Sequence, residues 1–171
     1  MTKFKVLPHK LCIFDFDDTL ATTDAKIKIT NKKLVFSTKE FADYHPTVED
    51  VLDLSDFENG KLINPQPTNF LITEFKSIID GNTDVMILTA RPDTGGIKEF
   101  LSAWVDPSHL IIVGGRRGAT GKELADLKKN AILERIDKYE NILFFDDSIT
   151  NIKAVDSINN PKIKTRLVKK P

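Results

Sequence analysis

The sequence predicts an α/β fold, in which helices cover both faces of a parallel sheet and a small cap is inserted after the first strand. Three observations support this fold class. Short, continuous apolar runs recur along the chain, as expected for strands that are buried on both faces. Segments with the apolar spacing of helices lie between these runs, which favours parallel strands. Residues 22–67 interrupt this alternation and contain a hairpin pattern of their own.

Five segments are predicted to form the strands of the sheet. Four are strongly apolar and the fifth is weaker, and in chain order they are residues 11–16, 85–90, 110–115, 141–147 and 165–169. A sheet of this kind is Rossmann-like, and such sheets bind ligands beside the carboxyl ends of their strands, where the strand order reverses. We therefore expect functional side chains to follow the ends of the strands.

Four further segments carry apolar residues at the spacing of amphipathic helices. They are residues 69–81, 94–104, 122–139 and 148–158. The first of them has apolar side chains at Phe70, Leu71, Phe75 and Ile78. Helices at these positions would cover the two faces of the sheet.

The insertion does not follow the alternation of strands and helices. Residues 25–36 contain two β-rich segments around a polar Thr-Asn-Lys turn, which predicts a hairpin. Ser37 and Glu40 follow with the spacing of a capping box, which predicts a short helix. We interpret residues 22–67 as a small cap, a hairpin flap plus a short helix, and residues 1–21 and 68–171 as the core. A surface excursion without function is the alternative.

The composition is that of an ordinary globular protein of 171 residues with a formal net charge of zero. A neutral chain has no overall field that would attract nucleic acid or an anionic membrane. The single cysteine, Cys12, excludes an intramolecular disulfide and is interpreted as a small buried side chain. No segment has the pattern of a signal peptide or the length of a membrane span, so we expect a cytoplasmic protein with no membrane partner. No obligate protein partner is evident.

Polar residues follow three of the predicted strands, at the point where each strand ends. The first strand ends at Asp15, Asp17, Asp18 and Thr19, the second ends at Thr89 and Arg91, and the fourth ends at Asp146 and Asp147. Because parallel strands end at the same edge of a sheet, we expect these side chains to share one crevice. Clustered carboxylates require a nearby cation, and a small set of hard oxygen ligands favours Mg²⁺ with a substrate phosphate.

The residues of this crevice resemble the motifs of a known family. The stretch DFDDTL resembles the DxDxT signature of the haloacid dehalogenase (HAD) superfamily of phosphotransferases and phosphatases. ILTAR is similar to its second motif, and FFDDS is similar to its fourth. The motifs occur in the family's order and span most of the chain, and each follows a predicted strand, so together they are far more specific than one alone. The resemblance implies a Mg²⁺-dependent phosphomonoester hydrolase that acts through an aspartyl-phosphate.

The resemblance also implies a role for each motif residue. Asp15 is the expected nucleophile, and Asp17 is the acid that protonates the leaving oxygen and then the base that activates water. Thr89 is expected to donate a hydrogen bond to a phosphoryl oxygen. The implied metal ligands are the Asp15 side chain, the Asp17 backbone carbonyl and Asp146, while Asp147 supports the metal or orients a catalytic lysine.

The catalytic lysine is expected on the helix before the fourth strand. The stretch LKKNAIL fits the family's pattern and places this role on Lys128, with Lys129 as the second choice. Lys122, at or near the helix start, is a further candidate.

Three residues are expected to bind the substrate, namely Asp18, Thr19 and Arg91. For Arg91 a structural salt bridge is an equal alternative. The acidic pair Asp146 and Asp147 has an alternative of its own, because one of the two carboxylates is suited to cap the helix that follows.

Two other classes of function remain open. A receiver-like module would bind Mg²⁺ and phosphate without turnover, although a receiver has its acidic pair early and no DxDxT. A catalytically idle member of the same family is the second alternative. For a phosphatase, the expected substrate is a small phosphomonoester such as a nucleotide, or a phosphorylated nucleic-acid end. The basic segment at Arg116 and Arg117 favours a polyanion, whereas the zero net charge does not.

Overall fold

The computed structural model of the protein describes residues 10–119 and 121–171. Part of the predicted core, residues 1–9, therefore lies outside the described residues. The strands are β1 (Lys10–Phe14), β2 (Ala21–Thr22), β3 (Ile27–Ile29), β4 (Leu34–Phe36), β5 (Leu52–Asp53), β6 (Gln66–Pro67), β7 (Thr83–Leu88), β8 (Leu110–Val113), β9 (Asn141–Asp146) and β10 (Ile163–Leu167). The helices are α1 (Thr38–Phe41), α2 (Asn69–Thr73), α3 (Phe75–Ile78), α4 (Ile97–Leu101), α5 (Gly121–Leu133) and α6 (Ile149–Asp156).

Within the described residues, one parallel sheet of five strands forms the centre of the protein, in the order β10-β9-β1-β7-β8. The chain runs outward from β1 through β7 to β8 and then returns to β9, on the other side of β1. The strand order therefore reverses between β1 and β9. The predicted Rossmann-like sheet is confirmed, and its expected ligand crevice lies beyond the carboxyl ends of β1 and β9.

The apolar core has two halves, one on each face of the sheet. Cys12 and Phe14 of β1 pack into a cluster with α2, α3 and α4, whereas Leu11 and Ile13 pack with α5 and α6. All four side chains are fully buried. This division follows from the period of two in a strand, which sends alternate side chains to opposite faces. The central strand is thus fixed on both faces.

The insertion has its own small sheet and apolar cluster. β3 pairs with β4 and β5, both antiparallel, so the predicted hairpin is confirmed. The capping box is also present, since Ser37 and Glu40 exchange hydrogen bonds between their side chains and backbone N–H groups. Where the insertion joins the rest of the chain, β2 pairs with β6, which brings the two ends of the insertion together. The division of the chain into core and cap stays a prediction.

Some predicted boundaries differ from the structure. The helix predicted at residues 69–81 is broken into α2 and α3 at Glu74, whose φ is −116°. The Thr73 hydroxyl donates to the Asn69 carbonyl at 2.8 Å, a bond that competes with regular helix geometry. The first strand ends at Phe14 instead of residue 16, and the last begins at Ile163 instead of residue 165. The described helices include none with the length and hydropathy of a membrane span.

Candidate active site

The loop after β1 places its acidic residues at the centre of the sheet edge. The Asp15 N–H donates to the Phe145 carbonyl at 2.9 Å, which extends the pairing of β1 with β9 by one residue. The chain then turns, because the N–H groups of Leu20 and Ala21 both donate to the Phe16 carbonyl. Asp18 has a φ of +61° within this turn, a conformation that aspartate adopts more readily than most residues.

A buried lysine joins two of the predicted site residues. The Nζ atom of Lys128 donates to Asp15 Oδ1 at 2.6 Å and to Asp146 Oδ2 at 2.7 Å. Only 3% of the Lys128 side chain is exposed. Burial disfavours its charge, but the Asp146 and Asp15 carboxylates outweigh this effect and raise the pKa of Lys128. Burial raises the pKa of Asp15 well above its ordinary range, although the Lys128 ammonium lowers it.

The other two lysine candidates lie elsewhere. Lys129, on the next position of α5, donates to the Ser157 hydroxyl at 2.8 Å. Lys122 is exposed near the start of α5. Of the three candidates, the structure therefore brings Lys128 into the site.

Three carboxylates form a group that could hold a metal ion. Asp15, Asp146 and Asp147 each offer an oxygen, and these oxygens lie within 4.8 Å of one another. The Thr19 hydroxyl lies between two of them, at 3.1 Å from Asp15 Oδ2 and 3.2 Å from Asp147 Oδ1, and it accepts the Asp147 N–H at 3.1 Å. Burial and the Asp146 charge raise the pKa of Asp147. A divalent cation would offset the negative charge of this group.

A residue that the sequence analysis missed supports Asp146. Asn151 Nδ2 lies 3.1 Å and 3.0 Å from the two Asp146 carboxylate oxygens. Asn151 lies in the first turn of α6, four residues after Asp147. An amide side chain in the first turn of the helix that follows the acidic pair is the sequence feature that could have indicated this contact. The N-cap of α6 is Ser148, which accepts the Asn151 N–H, so the alternative in which one aspartate of the acidic pair caps this helix does not hold. Asp146 Oδ1 instead accepts the Ser148 N–H at 2.8 Å.

Asp17 forms a bidentate salt bridge with Arg91. Arg91 Nε donates to Asp17 Oδ2 at 2.8 Å, and Nη2 donates to Oδ1 at 2.7 Å. Burial raises the pKa of Asp17, although its hydrogen bonds with Arg91 lower it. The structure thus contains the salt bridge that was one of the two alternatives for Arg91. The Asp17 side chain lies outside the three-carboxylate group, so a metal role for this residue rests on its predicted backbone carbonyl.

Thr89 and Asp18 complete the predicted set. Thr89 follows β7, is almost fully buried and accepts the Arg91 N–H at 3.2 Å, which leaves its hydroxyl proton available to donate. The backbone between Thr89 and Arg91 is closely packed, because a Cβ added to Gly115 would meet the carbonyl of Ala90. The Asp18 carboxylate accepts the Thr38 hydroxyl at 2.6 Å and thereby ties the loop to α1 of the insertion. Substrate binding by Asp18 and Thr19 stays a prediction.

Comparisons with known proteins identify the fold. No protein-family model matches the sequence, and no curated protein matches it. A solved HAD domain of the effector protein Lem4 from Legionella pneumophila, in an inactive mutant form, is 13% identical, with a TM-score of 0.55 over 95% of this chain and 86% of that one. Another structure of the Lem4 HAD domain is 14% identical, with a TM-score of 0.52 over 96% and 88%. At such identities the likeness concerns the fold, and the DxDxT chemistry stays a prediction. This chain has the α/β fold of the HAD domains.

Proposed function

We propose that this protein is a Mg²⁺-dependent phosphomonoester hydrolase that forms an aspartyl-phosphate on Asp15. One observation carries the proposal: the buried Lys128 ammonium lies between the carboxylates of Asp15 and Asp146, beside the reversal of strand order. A fixed cation at this place suits a carboxylate that must attack an anionic phosphoryl group. The HAD fold and the order of the three sequence motifs support the same reaction.

The residues fit the expected metal. Asp15, Asp146 and Asp147 offer hard oxygen ligands, which suit Mg²⁺ better than a softer ion. By resemblance, the backbone carbonyl of Asp17 would be a further ligand. Bound there, Mg²⁺ would offset the charge on the transferred phosphoryl group.

The side chains carry out the two phosphoryl-transfer steps and the proton transfers. In the first step an Asp15 oxygen bonds to phosphorus, the bond from phosphorus to the leaving oxygen breaks, and the Asp17 carboxyl gives its proton to that oxygen. In the second step water gives a proton to Asp17 and attacks phosphorus, and the bond from phosphorus to Asp15 breaks. Inorganic phosphate leaves, and Asp17 is protonated for the next cycle. Lys128 holds Asp15 in place, and Thr89 donates to a phosphoryl oxygen.

The proposed substrate is a small phosphomonoester such as a nucleotide, and a phosphorylated nucleic-acid end is the alternative. The two arginines after β8 bear on this choice. Arg116 lies 3.2 Å from Glu123, and Arg117 lies 3.5 Å from Glu58. Because each arginine faces a carboxylate, this segment presents less positive charge to a polyanion than its sequence indicates.

Phosphate release from an aryl phosphate tests the proposal. We expect turnover that requires Mg²⁺, stops with EDTA and is lost in Asp15→Asn, which keeps the shape of the side chain but removes the nucleophile. Asp137→Asn, the same change at an exposed position, is the matched control and should retain activity. A screen of nucleotides and 3′-phosphorylated oligonucleotides would follow. Binding of the phosphate analogue beryllofluoride without turnover of any of these substrates would contradict the proposal and favour a receiver-like module.

A further inference from the structure

Arg91 connects the insertion with the predicted acid. Its two bonds to Asp17 fix the plane of that carboxylate, because a planar guanidinium matches both oxygens at once. The same Nη2 atom also donates to the Thr23 hydroxyl of the insertion at 3.0 Å. Arg91 is only 3% exposed, so water competes little for these bonds.

A ring from the insertion packs on the guanidinium. The Cζ atom of Arg91 lies 4.7 Å from the ring centroid of Phe57, a distance at which a cation is attracted to the aromatic face. The Phe16 ring of the core is farther away, at 6.0 Å. The insertion therefore supplies the nearer ring.

Phe57 is itself held in place. It belongs to the apolar cluster of the insertion together with Ala25 and Ile27, and it is 9% exposed. Close by, the backbone of Gly60 lies against Gly95 of the core so closely that a Cβ on Gly95 would meet the Gly60 carbonyl. The insertion therefore packs tightly against the core loop that follows Arg91.

We infer that Phe57 is a positioning residue for the acid step, which it controls by holding Arg91 against Asp17. The inference rests on the proposed function, since it assigns the acid role to Asp17. It gives the insertion a part in the reaction itself: through Arg91 the cap fixes the plane of the Asp17 carboxyl group. The two Arg91 bonds use one lone pair on each Asp17 oxygen, which leaves a second lone pair to carry the proton for the leaving oxygen. Loss of the ring would let Arg91 and Asp17 adopt other orientations while the nucleophile Asp15 stays in place.

Leaving-group dependence separates this role from a merely structural one. A misplaced acid matters for an alkyl phosphate, whose leaving oxygen needs a proton, and matters little for p-nitrophenyl phosphate, whose leaving group departs as an anion. The measured quantity is kcat/KM, which covers the steps up to departure of the leaving group. Phe57→Leu keeps an apolar side chain but removes the ring face. We expect it to lower kcat/KM for the alkyl phosphate by about tenfold or more, as part of the 10²- to 10⁴-fold typical of acid catalysis, and to change the aryl value by less than about twofold.

Three further variants complete the experiment. Phe57→Trp restores an aromatic face and should recover most of the alkyl activity. Phe36→Leu removes another ring of the insertion, one that packs on Phe41 and Tyr44, and should leave the alkyl-to-aryl ratio unchanged. Thr23→Val removes the other insertion contact of Arg91 with little change in shape. It should lower the same ratio by a smaller factor, even if Phe57→Leu does not fold.

The possible results distinguish failure of the inference about Phe57 from failure of the proposed function. If the wild-type protein hydrolyses both substrates but the ratio is unchanged in Phe57→Leu and Thr23→Val, the inference is wrong and the proposed function stands. An equal fall for both substrates would also overturn it, because Phe57 would then act on general folding. No hydrolysis of either substrate by the wild type would overturn the proposed function, and the inference with it.

Discussion

Replacement of Lys128 by methionine tests the electrostatic balance of the site. In the structure the Lys128 ammonium is the cation that contacts both Asp15 and Asp146, at 2.6 Å and 2.7 Å. The two carboxylates are almost fully buried, with side-chain exposures of 8% and 0%. Methionine keeps much of the buried volume but removes the charge, so the carboxylates lose their partner without a large cavity being formed.

The expected loss of stability is large for a single substitution. Removal of one partner from a buried ion pair costs about 3–5 kcal/mol, because the other charge stays buried and unpaired. Burial already raises the pKa of Asp15, and loss of the ammonium that lowers it would raise it further. A carboxyl whose pKa is raised by folding costs stability when ionised and regains it when protonated. The difference between variant and wild type should therefore be largest near neutral pH and should shrink as the pH falls.

Urea unfolding with EDTA and with Mg²⁺ would measure this effect. Without metal we expect Lys128→Met to unfold more easily by about 3–5 kcal/mol. Mg²⁺ should recover part of the loss and should stabilise the variant more than the wild type, since the carboxylates would bind a divalent cation more tightly without the ammonium. The matched control is Lys129→Met, which removes an adjacent lysine that contacts Ser157 at the surface. A loss below about 1 kcal/mol in Lys128→Met, or a loss equal to that of the control, would refute the reasoning.

Three other predictions concern the surroundings of the site. Asn151→Ala should weaken Mg²⁺ binding by about 10- to 100-fold in calorimetric titrations, because Asn151 orients the Asp146 carboxylate, whereas Asn130→Ala at an exposed position should not. Thr68→Val should lower the free energy of unfolding by about 1–2 kcal/mol. Thr68 caps α2 and donates to the Thr19 carbonyl at 2.7 Å, and valine can do neither. An unchanged free energy of unfolding would contradict this prediction. Burial and a hydrogen bond to Asp84 raise the pKa of Tyr139 from 10.0 to about 12, so the stability that its neutral phenol provides should be present below pH 10.0 and lost as the pH rises towards 12. Urea unfolding of the wild type and Tyr139→Phe across this range should show a larger loss in the wild type, since the lysines titrate in both proteins.

The core strands and the acidic part of the site could be predicted from the sequence, because the residues that form each of them are adjacent along the chain. Each buried strand is a continuous apolar run, and its polar residues follow it directly, as Asp15 follows β1 and Asp146 ends β9. Parallel pairing then brings these strand ends to one edge, where they are found. Lys128 could be chosen as the first of three candidates because the stretch LKKNAIL resembles the pattern of the HAD family.

Long-range contacts could not be predicted in this way. The position of Phe57 on Arg91 and the bond from Thr38 to Asp18 depend on how the insertion folds back over the core. The apolar pattern of residues 69–81 likewise contains no sign of the break at Glu74, because side-chain bonding by Thr73 does not change hydrophobic spacing. Contacts between distant segments decide which partner a charged group such as Arg91 takes.

The most direct test of the central claim is to trap the covalent intermediate. The wild-type protein would be quenched in acid during turnover of an aryl phosphate with Mg²⁺, and the phosphoryl group would be located by peptide mass spectrometry. The account predicts a phosphoryl group on Asp15 that hydroxylamine removes and that is absent from Asp15→Asn. Turnover without a phosphorylated protein, or a phosphoryl group on another residue, would contradict it.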